Sequence, residues 1–401
     1  MSSQHRVRPS TSGFIIMVLL ALAVYVVLSA LPTGSAWFPS SEIAARANTS
    51  GFYKFLWFFS DMNEAQFYNN FLGGIFLIIG SAVAWFFLQS GSKLAGFTIC
   101  YSDGAYPGIL FTQTLGLILS VFVFNFTRFL TPETDWIPTF VPFVSIPPVL
   151  VLVYGFNLVK GITASVLGAA LCFPLAYFSS KLIIAPLELP GVMSNVVPMF
   201  FGGLVAVEVC RHLPWMEPEE TPVVEEAPGA QADVIDEQGG GSEEDLGSAS
   251  WFIRRVLADF SEPQFYGNEV AGLFLIIGTT ISYLMDPDSV TYGNQMFPAI
   301  LSGQLLAVAI AIYLWHGQLV RWGSFPTFVP LASVTPTVVG ALGGTFASVI
   351  LGALLGAVLA PPFADLINKK LAPDFPPLIG NTFAMFAISP IALWIAQAIL
   401  E

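Results

Sequence analysis

The sequence is poor in charged residues and rich in apolar ones. Only 10% of its 401 residues are Asp, Glu, Lys or Arg, whereas a typical soluble domain carries roughly 25%. The hydrophobic share is 55% and the mean hydropathy is +0.73. A soluble protein of this length and composition would lack the polar residues needed to cover its surface. The composition therefore predicts an all-α polytopic membrane protein in contact with the lipid bilayer.

Cysteine, histidine and patterned basic residues are also scarce, and this excludes several classes of function. Three single cysteines in largely apolar surroundings give no disulfide framework. Three histidines, of which only His212 has an acidic residue at helical spacing (Glu208), favour no metal site. The sequence has no stripe of basic residues, which nucleic-acid binding would require. The sequence contains neither a nucleophile elbow nor a phosphate-binding glycine loop, so no motif points to an enzyme, and no cofactor is expected.

An internal duplication is the clearest positive signal. The Gln-Phe-Tyr sequence of residues 66–68 recurs at 264–266, and the Pro-Thr-Phe-Val-Pro sequence of 138–142 recurs at 326–330. The matches are collinear, and their offsets stay between 183 and 198 residues along the chain. Chance similarity between apolar helices does not produce ordered matches of Gln, Pro and Asn. We therefore divide the chain into unit A (50–212) and unit B (251–401).

The remaining residues form an N-terminal segment and a linker. Residues 1–49 hold an apolar run at 13–31 that is longer than the roughly 7–15 apolar residues of a signal peptide. We therefore expect a retained first helix, and cleavage would leave the other crossings unchanged. The linker, 213–250, holds eleven Asp or Glu and no Lys or Arg. Its composition predicts a disordered cytoplasmic segment that is able to dock a partner.

Each unit contains four clear apolar runs and one apolar run that is interrupted by the helix-breaking residues Pro and Gly. The clear runs are 70–89, 106–127, 162–180 and 193–210 in unit A, and 267–284, 296–315, 345–363 and 380–399 in unit B. The interrupted runs, 139–159 and 327–344, begin within the Pro-Thr-Phe-Val-Pro sequences and contain further Pro and Gly. They predict broken helices, so each unit crosses the membrane either four or five times.

The distribution of positive charge favours five crossings. Cytoplasmic loops carry an excess of Lys and Arg. Five crossings per unit put ten of the fourteen basic residues inside, whereas four crossings put six inside and eight outside. An odd number inverts unit B relative to unit A. The expected fold is therefore about 11 transmembrane helices: two inverted five-helix repeats after one extra N-terminal helix. The N-terminus is expected in the cytoplasm and the C-terminus outside the plasma (inner) membrane.

Each unit opens with an aromatic and basic segment, 52–59 in unit A and 251–260 in unit B. Such segments are typical of helices that lie at the headgroup level, so we expect two interfacial helices on opposite leaflets. With these segments placed at the interface, the membrane interior has little charge and no Lys or Arg. This favours a substrate that is neutral or weakly charged, or an ion coordinated by carbonyls and hydroxyls.

The broken helices are the expected functional region. In transporters with inverted repeats, interrupted helices at matched positions build the substrate site near the bilayer midplane. Proline frees a backbone carbonyl, and nearby hydroxyls and amides add polar groups. The expected substrate-binding residues are Thr139, Pro142, Ser145, Asn195, Thr327, Pro330, Ser333, Thr335 and Asn381. Gln113 and Gln304 are expected either to line the pathway or to join helices by hydrogen bonds. Asn195 and Asn381 are alternatively helix caps, and Glu208 is either a coupling group or an ion-pair partner of Arg211.

Two inverted five-helix units resemble the architecture of urea transporters and, more distantly, of ammonium channels. The resemblance covers topology and no motif, and it implies a solute pathway between the units. The favoured function is a transporter or channel for a small solute. The alternatives are a membrane scaffold whose acidic linker binds a cytoplasmic partner, and an intramembrane enzyme acting on lipid. A homo-oligomer is compatible with each.

Cysteine accessibility distinguishes the two topologies. In a background with the three native cysteines replaced by Ala, five crossings per unit place Ala230→Cys inside the cell and Val290→Cys outside. We expect a membrane-impermeant maleimide to label residue 290 in intact cells and residue 230 only after permeabilisation. The opposite pattern would support four crossings per unit.

Overall fold

The computed structural model describes residues 8–34, 37–99, 104–131, 134–218, 246–322, 324–372 and 375–401. It is 74% helical and has no strands within these residues. Eight of the described helices are long and apolar enough to cross a membrane. The class predicted from composition, a polytopic helical membrane protein, is supported by these helices. Most of the acidic linker, 219–245, lies outside the described residues, and with it most of the predicted docking segment.

The helices of unit A follow an N-terminal helix and a short connector. We number all helices in chain order. The first nine are α1 (Thr11–Ala30), α2 (Ser40–Arg46), α3 (Gly51–Asp61), α4 (Phe71–Gln89), α5 (Tyr106–Ile118), α6 (Ile146–Tyr154), α7 (Leu158–Ser179), α8 (Val192–Val197) and α9 (Gly203–Arg211). A π-turn, Pro198–Gly202, joins α8 to α9, so that the two form one apolar span.

The helices of unit B reproduce this order. They are α10 (Ala249–Asp259), α11 (Glu269–Met285), α12 (Phe297–Trp322), α13 (Thr335–Ala341), α14 (Phe346–Asn368) and α15 (Leu378–Leu400). All nine clear apolar runs, including the N-terminal one, correspond to helices. Most ends lie within a few residues of the expected positions, but α5 ends nine residues early and continues as a π-turn to Val123, α7 starts four residues early, α12 ends seven residues late and α14 ends five residues late. The helix α11 has only 17 residues and falls below the length of the eight candidate spans.

The equivalent helices α4 and α11 cross in antiparallel directions. A Cβ added to Gly80 would lie 2.5 Å from Cβ of Phe274, and one added to Gly278 would lie 2.5 Å from Cβ of Phe76. Residue numbers rise on one helix as they fall on the other, so the two run in opposite directions. Glycine at both crossing points lets the backbones approach closely, as in other membrane helix pairs.

The interrupted runs lie along neighbouring helices. In unit A, Ser120 of the π-turn after α5 donates to the carbonyl of Thr139, and Gly108 near the start of α5 packs against Phe156. The chain from 139 to 156 therefore runs antiparallel to α5 over most of its length. It consists of a turn (139–140), a 3₁₀ turn (Val141–Val144) and α6.

The interrupted run of unit B has the same relation to α12. The amide of Gln304 donates to the carbonyl of Leu331, and Gly344 packs against Met296. Here a π-turn (Pro330–Val334) precedes α13. The two runs therefore differ: in unit A the helix is interrupted at Ser145, with φ of −133° and ψ of −119°, whereas in unit B the π-turn passes into α13 with helical dihedral angles.

The expectation that α3 and α10 lie at the headgroup level stays a prediction, but several side chains that it placed at the membrane surface are buried in the protein. Trp57 and Asp61 are fully buried near the end of α3, and Arg255 and Asp259 are buried in α10. Each helix packs against the next one, since the backbone of Gly74 closely approaches the carbonyl of Phe59. The aromatic residues that suggested a headgroup location are divided between the surface and the core. The two helices therefore carry charged groups into the interior.

The close crossing of α4 and α11 gives a test of the packing. We expect Gly80→Leu to lower the thermal stability of the detergent-solubilised protein by several degrees, because a side chain there meets Phe274. The matched control is Gly317→Leu in α12, where a new Cβ meets no atom within 4 Å. Unfolding measured by differential scanning fluorimetry should separate the two variants, and an equal loss in both would contradict this packing.

Candidate functional site

The two Gln-Phe-Tyr sequences bind each other across the molecule. The amides of Gln66 and Gln264 exchange two hydrogen bonds of 2.5 Å. Tyr68 donates to Gln304 (2.6 Å), and Tyr266 donates to Gln113 (2.9 Å). All these side chains are fully buried. Gln113 and Gln304 thus join helices of different units, which is the hydrogen-bonding role expected as the alternative to lining a pathway.

A cavity of about 460 Å³ lies between the units. Phe140 and Val144 of the first interrupted run line it, as do Phe328 and Ala332 at the matched positions of the second. Glu188 also lines the cavity, on its solvent-exposed side. The other polar lining residues include Glu64, Trp136, Asn195, Thr291, Tyr292, Thr337 and Thr382.

Glu64 is a buried carboxylate on the wall of this cavity. It begins a 3₁₀ turn (Glu64–Gln66) after α3, and its residue is only 3% exposed. The hydroxyl of Thr291 lies 2.9 and 3.0 Å from its two oxygens. The Asn69 amide and the Trp136 indole N–H lie beside the carboxylate without a hydrogen bond of normal geometry. Every one of these neighbours is a neutral donor.

A second carboxylate, Asp61, is buried one turn earlier. It faces the hydroxyl of Thr139 and the indole of Trp57 but forms no hydrogen bond of normal geometry with either. These two groups bond to each other instead, with the indole N–H donating to Thr139 over 2.8 Å. Unit A therefore holds two buried acids, and no Lys or Arg in the described ranges forms an ion pair with either of them.

Unit B holds the matched acids together with a cation. Asp259 and Glu262 lie 198 residues after Asp61 and Glu64. Arg255, which is matched to Trp57, forms an ion pair with Asp259 and lies 3.5 Å from Glu262. Its guanidinium also donates to Thr327, and the Thr327 hydroxyl donates to Asp259. Unit B therefore compensates its buried acids, whereas unit A has an indole in place of the guanidinium.

Seven of the expected site residues pack inside the protein and do not line this cavity. Thr139 bonds to Trp57, Thr327 to Asp259, and the hydroxyls of Ser333 and Thr335 donate to backbone carbonyls. The Ser145 hydroxyl is buried beside Cys172, without a hydrogen bond of normal geometry. The remaining two, Pro142 and Pro330, pack against glycines of neighbouring helices.

The other expected residues are separated from one another. Asn195 lines the cavity, whereas Asn381 accepts a hydrogen bond from Asn368 and does not line it. Both lie inside helices, so the alternative that they are caps is wrong. Glu208 pairs with Arg211 (2.9 Å) and lies 3.4 Å from His212 at the surface, as its ion-pair interpretation predicted.

The buried acids were missed because α3 and α10 were assigned to the membrane surface. A signal was present in the sequence, since Asp61 and Glu64 match Asp259 and Glu262 at the same offset as the Gln-Phe-Tyr sequences. Among the described residues, no three His, Cys, Asp or Glu side chains lie close enough together to hold a metal ion.

The ion pair of unit B gives a stability prediction. Arg255→Met leaves two carboxylates buried without a cation, and removing one member of a buried pair costs about 3–5 kcal/mol. Arg254→Met is the matched control, because the Arg254 side chain is 43% exposed where it pairs with Glu269, whereas that of Arg255 is 3% exposed. An ion pair of an exposed side chain contributes about 0–1 kcal/mol. Thermal unfolding in detergent should show a large loss for the first variant only.

The chain matches no family model, no curated protein and no solved structure. The similarity of topology to urea transporters therefore finds no support in these comparisons. What the chain does must be inferred from its own cavity and buried charges.

Proposed function

We propose that this protein is a transporter or channel for a small solute, with its pathway between units A and B. The cavity between the units carries this proposal, because matched residues of both interrupted runs, Phe140 with Phe328 and Val144 with Ala332, face it. Its volume of about 460 Å³ lies within the roughly 300–1,000 Å³ that small-molecule sites usually occupy. A packing role for the two runs would require no such space.

The proposed architecture is a pair of inverted five-helix repeats. The antiparallel crossing of α4 and α11 supports the inversion. The antiparallel courses of the interrupted runs beside α5 and α12 support a crossing for each of them. The two interrupted runs and α11 add three crossings to the eight long spans. The total of eleven is the number that the positive-inside rule favours. The N-terminus and the linker then lie in the cytoplasm, and the C-terminus lies outside.

The interrupted runs support a pathway for a physical reason. Backbone that is not helical leaves N–H and C=O groups unpaired, and in a membrane such backbone is tolerated only where protein buries it or a cavity receives it. Both runs are sheltered between helices and border the cavity on one side. Asn195 lines the cavity and is therefore proposed to contact the solute, whereas Asn381 does not line it.

Chemical blocking of the cavity tests this function. In a background without native cysteines, Asn195→Cys places a thiol on the cavity wall, and Asn381→Cys places one at the matched position of unit B. Proteoliposomes should show flux above empty liposomes for at least one solute in a panel of urea, glycerol, rubidium and methylammonium. We expect a small methanethiosulfonate reagent to reduce that flux several-fold in the first variant and to leave the second unchanged.

Labelling measured by mass spectrometry is the control, since a lack of inhibition is informative only where the thiol has reacted. Complete labelling of Asn195→Cys with unchanged flux would place the pathway elsewhere. No flux for any solute of the panel with the wild-type protein would count against the proposed activity.

A further inference from the structure

We infer that the cavity binds a small organic cation with an apolar body, and that the Glu64 carboxylate is its counter-charge. This inference rests on the proposed function and names the substrate class of the same cavity. It differs from the sequence-based expectation of a neutral or weakly charged solute, which assumed a membrane interior without charge.

The charges of the lining residues favour a cation. Glu64 and Glu188 line the cavity, and none of its described lining residues is Lys, Arg or His. Glu188 is exposed at the mouth, whereas Glu64 is buried on the inner wall. An anion entering this space would meet two carboxylates and no positive side chain, so its loss of hydration would not be offset.

The aromatic residues of the lining favour an organic cation. A cation held against the face of an aromatic ring is attracted by the ring quadrupole, and loss of water strengthens this attraction. Five aromatic side chains from both units surround the space: Phe67, Trp136, Phe140, Tyr292 and Phe328. A small hydrated metal ion would find few oxygen ligands here, whereas an amine with an apolar body would satisfy both the rings and the carboxylate.

Comparison of the two units indicates that Glu64 lacks a charge partner. Glu262, its equivalent, lies 3.5 Å from Arg255 and does not line the cavity. Among the described residues, the donors that face Glu64 are neutral, and the hydroxyl of Thr291 is hydrogen-bonded to it at 2.9 Å. A buried carboxylate is costly unless a cation or several donors compensate it. A bound ammonium would supply in unit A the charge that Arg255 supplies in unit B.

A second polar group on the cavity wall also lacks a partner. The Thr337 hydroxyl is buried, with its residue only 8% exposed, and makes no hydrogen bond. Buried hydroxyls are nearly always hydrogen-bonded, so an unbonded one on a cavity wall indicates a group that meets a ligand or water. Thr337 belongs to unit B and Glu64 to unit A, so both units contribute polar groups to the cavity wall.

Binding of three soluble aromatic probes tests the inference. Isothermal titration calorimetry on the full-length protein in detergent compares 2-phenylethylammonium, neutral 2-phenylethanol and anionic 3-phenylpropionate. We expect the ammonium to bind at least about tenfold more tightly than the alcohol, because only the ammonium pairs with a desolvated carboxylate. The anion should not bind. Equal binding of ammonium and alcohol, or no binding of the ammonium, would overturn the inference.

Variants of the two matched glutamates locate the effect. Glu64→Gln should weaken ammonium binding about tenfold or more and leave binding of the alcohol unchanged, whereas Glu262→Gln should leave both unchanged. An equal loss in both variants would overturn the role of Glu64. If Glu64→Gln does not yield a monodisperse protein, Glu64→Asp keeps the charge and should retain the preference for the ammonium. Because these measurements are of binding, they are independent of the flux and thiol-blocking test, which decides whether the cavity is a pathway.

Discussion

The reciprocal hydrogen bonds between Gln66 and Gln264 are the contact around which the two units are arranged. Each amide also donates to a backbone carbonyl of the other unit, Phe260 for Gln66 and Met62 for Gln264. Because these groups are fully buried, water cannot replace a lost partner, and each unit therefore fixes the position of the other. The cavity borders the same turn, since Glu64 and Ala65 line it.

The turn that carries this contact also carries the matched glutamates, Glu64 and Glu262. In both units the 3₁₀ turn starts with Glu, ends with Gln and is followed by Phe in the left-handed region, with φ of 67° at Phe67 and 65° at Phe265. Non-glycine residues adopt this conformation at a cost, and it persists where surrounding contacts determine it. Here the following tyrosine bonds across to the other unit, which holds the strained residue in place.

A duplicated chain can use one position in two ways. Trp57 and Arg255 occupy matched places, and each bonds to the threonine of its own Pro-Thr-Phe-Val-Pro sequence. The guanidinium pairs with the acids of unit B, whereas no Lys or Arg in the described part of the chain forms an ion pair with those of unit A. The two units thus form equivalent hydrogen bonds at this position, but only unit B has a positive charge there. That asymmetry gives the proposed site its polarity, since only the acid of unit A faces the cavity.

The sequence alone determined the membrane class, the duplication and the positions of the clear apolar helices, because these depend on local hydrophobicity and on matches along one chain. It also predicted interruptions at 139–159 and 327–344 from their proline and glycine residues. The tertiary structure shows non-helical dihedral angles at Ser145 in the first run and a π-turn that continues into α13 in the second. Only the tertiary structure decided which residues face the cavity. Of the twelve residues expected at the site, Asn195 lines it, while hydroxyls such as those of Ser333 and Thr335 are bonded to nearby carbonyls. Composition places aromatic segments equally well at a membrane surface or in a core. The burial of α3 and α10, and of the carboxylates they carry, follows from packing against helices that are distant in sequence.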